Sequence, residues 1–433
     1  MVILIKALQV VLALSILIFI HELGHFLWAK IFGIRVEKFY LFFDAGGKAL
    51  LRFRKGETEF GIGWVPLGGY CKIAGMVDES MDMEQMKRDP QPWEFRTHPA
   101  WQRFLVMAGG VLNNFIFAVL VYIGIMAGWG KSYFSNDGAR IYVNDLAYEM
   151  GFRNGDRILR FDDYEPEDFF MLQADLARRD VHNAIILRGD DTLSLYIDHS
   201  LLPEVINSPL MFDMAIPFVV DSLVAGGANA SCGLQRGDAV IAFDGESVEF
   251  VQDSRELLYG HRGGQVEATV LRGADTLCMN VQVDTAGHIG VLLQMPRPEV
   301  KEYTLLEAVP AGVELTGRTI GGYLQDLKLL ATPSTGAYKS VGSFIAMGQV
   351  FPSSWNWYQF LQILALLSIM LAVMNMLPIP ALDGGHMVFT IYEMITGRKP
   401  SDKFLAVMQI MGMVILLALM MLAFGNDIGR LLK

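Results

Sequence analysis

The sequence predicts a polytopic α-helical membrane protein with four spans, a membrane-associated β-hairpin region and two inserted, small β-rich domains. The chain of 433 residues is 52% hydrophobic and only 19% charged, which is more apolar than soluble globular domains are. Its apolar residues concentrate in four long runs, and the acidic region between the second and third runs contains an internal repeat. The net charge of −11 excludes the basic surface of a nucleic-acid-binding protein.

Four runs are long enough to cross a bilayer, which takes about 20 helical residues. They lie within residues 1–32, 101–130, 356–386 and 403–424. The first run has no cleavage site of small residues, so we predict a retained span rather than a signal peptide. The short loops at 30–55 and 398–403 are basic and are therefore predicted to be cytoplasmic. With four spans, both termini and the acidic insert then lie on the outer side.

Residues 33–100 form a predicted β-rich loop on the cytoplasmic side. The stretch Leu50–Phe60 alternates apolar and polar residues, and Gly46-Gly47 and Gly56 punctuate the region, which ends in Pro66-Leu-Gly-Gly-Tyr70. This pattern is typical of hairpins. Such a loop is often only a connector, but an exposed strand edge can also receive an extended peptide.

The acidic insert, residues 131–302, carries 28 Asp and Glu against 14 Lys and Arg. Within it, Gly151–Asp162 (GFRNGDRILRFD) aligns with Gly233–Asp244 (GLQRGDAVIAFD). The Gly-Leu-x-x-Gly-Asp pattern, preceded by Val224–Ala230, resembles PDZ domains, predicted here at 136–205 and 212–298. The three cysteines are too few for a disulfide scaffold. Pairing of Cys232 with Cys278 would need an oxidising compartment, and buried thiols are the simpler interpretation.

Residues 303–352 are predicted to form an amphipathic helical linker on the membrane surface, broken at Gly321-Gly322 and Pro333.

The first span contains His21-Glu22-Leu23-Gly24-His25. Positions i and i+4 share a helix face, so both imidazoles can bind one metal ion while Glu22 stands beside the metal-bound water. The alternative, a structural cluster in a helical core, is disfavoured because ionisable residues inside a span are costly.

A zinc site of this kind needs a third protein ligand. Asp383 is the candidate, because two prolines break the helix before it and Gly384-Gly385 after it allow a tight turn at membrane depth. Taken alone, Asp383 is equally explained as an interfacial helix cap.

These motifs, with Pro66–Tyr70 and Gly110–Asn114, resemble those of the site-2 protease family, and the tandem PDZ-like pair resembles its regulator-of-sigma-E protease branch. The resemblance extends from Ile3 to about Phe424. It implies a zinc-dependent intramembrane endopeptidase in which one catalytic Zn²⁺ is held by His21, His25 and Asp383. Glu22 is then the catalytic residue.

The resemblance also implies that Asn375, Gly110 and Asn114 bind substrate. An interhelical hydrogen bond explains Asn375 equally well, close helix packing alone explains Gly110, and the doubled Asn113-Asn114 leaves that alignment open by one position. His386 is a candidate for orienting the metal ligands. At Ser343-Phe344 the chain departs from the family, which has Gly-Pro before the third span.

The implied location is the bacterial cytoplasmic (inner) membrane, with the PDZ pair on the periplasmic side and the active site near the cytoplasmic side. The implied partners are membrane lipid and single-span transmembrane proteins trimmed by a prior protease, such as anti-sigma factors or signal-peptide remnants. The PDZ pair would either bind a new C-terminus or act as a size filter, and the resemblance implies the filter.

Two other functions are consistent with parts of the sequence. A catalytically inactive membrane scaffold would present tandem PDZ modules and keep zinc for structure, and replacing Glu22 would then change nothing. A transporter is disfavoured, because the ionisable residues cluster at one motif and the spans show no inverted repeat.

Overall fold

The computed structural model describes residues 2–66, 68–76, 89–224 and 226–431. Leu67 of the Pro66–Tyr70 motif and Ala225 of the Val224–Ala230 segment lie outside the described residues. The chain forms two compact units, one of residues 1–130, 302–328 and 338–433, and one of residues 131–301 and 329–337.

The first unit consists of long helices and one small sheet. Its elements are α1 (Val2–Ile31), β1 (Val36–Leu41), β2 (Ala49–Lys55), β3 (Thr58–Gly63), β4 (Tyr70–Ile73) and α2 (Ala100–Trp129), and, after the insert, α7 (Leu305–Leu330), α8 (Phe344–Val350), α9 (Trp357–Met376), α10 (Asp383–Thr396) and α11 (Asp402–Leu431). In the described part of the chain, four helices are long and apolar enough to cross a membrane: Val2–Ile31, Ala100–Trp129, Trp357–Met376 and Lys403–Gly429. The four predicted spans therefore coincide with helices that have the length and hydropathy a span requires.

Small residues let α1 and α2 approach closely. A Cβ atom on Gly109 would lie 2.7 Å from the carbonyl oxygen of Gly24 and 2.5 Å from the Trp28 ring, so glycine is required here. Close packing of this kind holds helices together where lipid provides no hydrophobic driving force. The contact brings α2 against the face of α1 that carries the two histidines.

The third span ends at Met376, because Pro378 and Pro380 cannot continue a helix. The chain then turns through Ala381, which has a positive φ of 79°, and α10 begins at Asp383. Glycines surround this turn at close range: a Cβ on Gly384 would lie 2.6 Å from the Met376 carbonyl oxygen, and one on Gly412 of α11 would overlap the Pro380 carbonyl. Asp383 is thereby placed on a tightly enclosed turn.

The sheet of the first unit has the strand order β2-β3-β1-β4. The strands β2 and β3 form the predicted hairpin, which turns at Gly56 with a φ of 64°. The strand β1 pairs in parallel with β3 and antiparallel with β4. The parallel pair was not predicted, because alternation along a strand does not specify its partner. Among the described strands, β4 pairs with β1 alone and is the last strand of the sheet.

The second unit contains two halves of similar construction. Its elements are β5 (Lys131–Tyr133), β6 (Ile141–Val143), α3 (Asp145–Glu149), β7 (Arg157–Phe161), α4 (Leu172–Arg178), β8 (Asn183–Arg188), β9 (Asp191–Tyr196), α5 (Leu202–Asn207), β10 (Phe212–Met214), β11 (Val220–Leu223), β12 (Ala239–Phe243), β13 (Glu246–Ser247), α6 (Ser254–Gly260), β14 (Gln265–Arg272), β15 (Asp275–Gln282), β16 (Val291–Leu293) and β17 (Glu299–Lys301). Its larger sheets are β7-β8-β9 and β13-β12-β14-β15, and each half has its own hydrophobic core.

The aspartate of the repeated Gly-Asp motif has the same partners in both halves. Arg188 donates two hydrogen bonds of 2.8 Å to Asp156, and Arg272 donates two of 2.7 Å to Asp238. The same arginines also donate to the carbonyls of Gly151 and Gly233. The hydrogen bonds from Arg272 hold the pKa of Asp238 below its usual range.

Cys232 and Cys278 are free thiols, so the pairing left open by the sequence is not formed.

The linker after the insert differs from its prediction. Helix α7 runs from Leu305 to Leu330 without interruption, so the predicted break at Gly321-Gly322 is wrong, although the helix does end before Pro333. A glycine inside a helix costs only about 1 kcal/mol, and tertiary packing offsets this cost. Gly312 of α7 lies so close to α2 that a Cβ there would be 2.6 Å from the Ile123 side chain.

Candidate metal centre

Three side-chain donors from two helices converge inside the first unit. His21 and His25 of α1 place their Nε2 atoms 3.3 Å apart. The Oδ2 atom of Asp383, at the start of α10, lies 3.2 Å from the His21 Nε2 and 3.4 Å from the His25 Nε2. All three side chains are largely buried.

This triangle fits zinc. Ligand atoms at 2.0–2.2 Å from a tetrahedral Zn²⁺ lie about 3.3 to 3.6 Å from one another, close to the three separations observed. Asp383 Oδ2 is buried and accepts no hydrogen bond from any other described residue, so a cation would satisfy it. A three-residue set of two imidazoles and one carboxylate also matches the ligand chemistry of catalytic zinc sites, which keep a fourth position open.

Hydrogen bonds from α2 orient the imidazoles. His25 Nδ1 lies 2.8 Å from the Val106 carbonyl oxygen, so Nδ1 carries the proton and Nε2 is free to bind metal. His21 Nδ1 lies 3.2 Å from the Asn114 amide nitrogen, while the Asn114 Oδ1 is buried without a partner among the described residues. With its oxygen turned toward His21, the Asn114 amide accepts a hydrogen bond from Nδ1. Both histidines then present Nε2 to the metal.

Glu22 is next to the ligands in sequence and contacts the sheet. Its carboxylate lies beside the backbone of Cys71 in β4. The last strand of the sheet therefore lies next to the acidic side chain of the His-Glu motif.

A cavity of about 1030 Å³ surrounds these groups. Its wall includes the three donors, Glu22, residues 68–73, and the side chains of Asn375 and His386. The Asn375 amide nitrogen lies 3.4 Å from His21 Nε2. Gly110 and Asn114 are not in the wall of the cavity. They lie behind the imidazoles, where a Cβ on Gly110 would be 2.5 Å from His25 Nε2.

A polar cluster anchors the sheet beside the cavity. Asp44 accepts hydrogen bonds from Lys38 at 2.9 Å and from the Tyr70 hydroxyl at 2.8 Å. Burial would raise the pKa of Asp44, but these two hydrogen bonds outweigh it and lower the pKa. Burial and a hydrogen bond to Glu59 raise the pKa of Tyr40 to about 12. The cluster thereby ties the β1–β2 loop to the start of β4.

Comparison with known proteins places the site in a family. The profile of peptidase family M50 matches residues 9–419. The chain belongs to peptidase family M50, the site-2 proteases. The "Regulator of sigma-E protease RseP" of Salmonella typhimurium is 28% identical, with 97% of this chain and 98% of that protein covered. A "Putative zinc metalloprotease" of Xylella fastidiosa is 28% identical, with 96% and 97% covered, and one of Vibrio cholerae is 27% identical, with 97% and 98% covered.

Family membership makes this M50 protein a zinc metalloprotease of the membrane. The structure brings together the four residues that the sequence analysis singled out for chemistry, and it places Asn375 beside them. The sequence analysis missed the Val106 carbonyl and the Cys71 backbone, because backbone groups carry no residue-type signal. It also missed Gln409, which lines the cavity, although a single amide in an apolar span is a recognisable signal.

Proposed function

We propose that this protein is an intramembrane zinc endopeptidase that hydrolyses peptide bonds in the transmembrane segments of single-span membrane proteins trimmed by an earlier protease. The observation that carries the proposal is the triangle of His21, His25 and Asp383 donors, within and beside membrane-spanning helices. Its position next to Glu22 and strand β4, in the wall of one cavity, supports an endopeptidase. The name of the Salmonella relative, a regulator of sigma-E protease, supports a role in regulated intramembrane proteolysis.

In this proposal His21, His25 and Asp383 hold the zinc ion. When bound, zinc supplies Lewis-acid polarisation and lowers the pKa of water. Glu22 accepts the proton of the attacking water and returns it to the leaving amine. The backbone of Cys71 lies beside that carboxylate. Asn375, whose amide lies at the ligands and in the cavity wall, binds the substrate carbonyl. Gly110 and Asn114 act on the substrate through the imidazoles that they position.

A helical substrate must be unwound before it can be cut, because its backbone groups are paired internally. The position of β4 at the end of the sheet and in the wall of the cavity supports a solution by strand addition, in which an extended segment lies alongside that strand. Because Cys71 in this strand contacts Glu22, a segment added there lies within reach of the catalytic carboxylate.

The remaining parts of the proposal concern location and selection. The basic loops beside the spans support a cytoplasmic-side active site in the bacterial inner membrane, with the second unit on the periplasmic side. The shared Arg–Asp network and separate cores support two PDZ-like domains in that unit. We propose that they act as a size filter against substrates with intact outer domains.

The test compares the full-length protein with Glu22→Gln, using Glu314→Gln on the exposed face of α7 as the matched control. Both variants should bind about one zinc per chain. Cleavage of a single-span reporter with a short outer segment should fall at least about a hundredfold in Glu22→Gln and stay unchanged in Glu314→Gln. Cleavage at the wild-type rate by Glu22→Gln would contradict the proposal and favour the scaffold.

The size filter is tested with the wild-type protein and a second reporter that has a folded outer domain. This reporter should be cut more slowly than the one with a short outer segment, and equal rates for the two reporters would exclude the filter.

A further inference from the structure

We propose that Gln409, in the fourth span, binds the backbone of the extended substrate segment within the cavity. This inference rests on the proposed function and adds a binding residue to it. It commits to a substrate class, an unwound peptide segment recognised through its main-chain amides rather than through its side chains. Gln409 belongs to α11, whereas the other two substrate contacts in the proposal come from β4 and from Asn375 in α9.

The state of the Gln409 side chain is the first observation. It is only 4% exposed and lies in the wall of the cavity that contains Glu22 and Asp383. Among the described residues, none forms a hydrogen bond with its amide, and the amide atoms are open to the cavity rather than fully enclosed. An amide that faces a cavity without a protein partner can both donate to and accept from a polar group that enters the cavity.

The placement of Gln409 is the second observation. Gly412 packs directly on the turn that precedes Asp383, where a Cβ on Gly412 would lie 2.9 Å from the Ala381 nitrogen. Residues three apart share a helix face, so Gln409 is on the face of α11 that meets this turn. The glycine contact therefore fixes the depth and rotation at which the amide enters the cavity.

The chemistry of the amide suits a peptide backbone. One glutamine side chain offers both a carbonyl acceptor and an N–H donor, the same pair that each residue of an extended strand presents. Binding of this kind tolerates any side chain at the bound position. Gln409 thus stabilises the unwound conformation without selecting a sequence.

The experiment uses Gln409→Met, which keeps the length of the side chain and removes its polar atoms. Gln359→Met, at an exposed position of α9, is the matched control. With a synthetic single-span peptide, Gln409→Met should raise KM about three- to tenfold, the range of one net hydrogen bond, while kcat changes less than twofold. The Tm should stay equal, because the amide forms no hydrogen bond within the described part of the protein. A purely structural glutamine would instead lower the Tm.

A double-mutant cycle then tests the contact itself. Single backbone amides of the peptide are replaced by esters, which removes one N–H at a time. At one position the ester should weaken binding in wild type but not in Gln409→Met. Additive effects at every position, or an unchanged KM, would overturn the proposal. Peptide affinity measured in the Glu22→Gln background separates the two proposals: an inactive wild type contradicts the proteolytic function, and equal affinity with and without Gln409 contradicts this inference alone.

Discussion

At the scale of single residues, the ionisable side chains of the site depend on neighbours that carry no charge. Gly110 leaves the space in which the His21 and His25 rings meet, and the Val106 carbonyl holds the His25 proton on Nδ1. Ionisable groups are costly inside a membrane span, so each must find a partner at a defined distance. The precision of the ligand triangle therefore comes from α2 as much as from the ligands.

Replacing Gly110 by Ala is expected to separate zinc binding from folding. The added Cβ would lie 2.5 Å from His25 Nε2 and 2.7 Å from His21 Cε1, which forces the imidazoles apart, while alanine favours the helix itself. Zinc content and proteolysis should both fall at least about tenfold, with helical content unchanged. Gly124→Ala on the same helix, where a Cβ meets nothing within 4 Å, should keep both. Full zinc content in Gly110→Ala would contradict this account.

At the scale of elements, helix α10 must be held in place for Asp383 to reach α1. Its far end is anchored by an ion pair between Glu393 and Arg103 of α2, with side-chain exposures of 19% and 8%. Arg103 also donates a 2.9 Å hydrogen bond to the His98 carbonyl and lies over the Phe95 ring. The turn at Ala381 and this ion pair together fix both ends of the helix.

The variant Glu393→Gln should destabilise the protein more than an exposed pair would. Breaking a buried ion pair costs about 3 to 5 kcal/mol, because the remaining charge is left without its partner. The control Glu314→Gln removes an exposed i,i+4 pair with Arg318, which is worth about 0 to 1 kcal/mol. Thermal unfolding in detergent, followed by circular dichroism, compares them. A Tm for Glu393→Gln equal to that of the control would show that the pair does not anchor α10.

At the scale of the whole molecule, the metal site joins parts of the chain that are far apart in sequence. The contact between His21 and Asn375 alone spans 354 residues. In the proposed site, zinc held by α1 and α10 would cross-link the first and last thirds of the chain. A ligand that binds only the folded state also stabilises it.

Removal of zinc by a chelator should abolish proteolysis and lower the Tm by at least a few degrees. Adding zinc back should restore both. The Glu22→Gln variant serves as the control, because it keeps the ligands and should show the same loss and recovery of Tm without any activity. Proteolysis that persists after zinc has been removed and quantified would contradict a catalytic metal.

The sequence by itself determined the four spans, the repeat in the acidic insert and the residue types of the site. These features are readable because apolar length, helical spacing and repeated motifs are local properties of a chain. His21 and His25 share a face from their spacing alone. A zinc site needs a third protein ligand, which was the reason to look for one. The prolines before Asp383 and the glycines after it then made this residue the candidate.

Only the tertiary structure decided which segments that are distant in sequence contact one another. The parallel pairing of β1 with β3, the Cys71 contact to Glu22 and the Arg103–Glu393 ion pair all join segments that sequence patterns cannot pair. Asn114, for which substrate binding stays a prediction, lies beside His21 Nδ1 and outside the wall of the cavity, because glycines let α2 pack directly on the histidine face of α1. The position of Gln409 in the cavity wall was likewise decided by tertiary packing, through the contact of Gly412 with the turn before Asp383. Local patterns specify faces, whereas packing between distant segments specifies which faces meet.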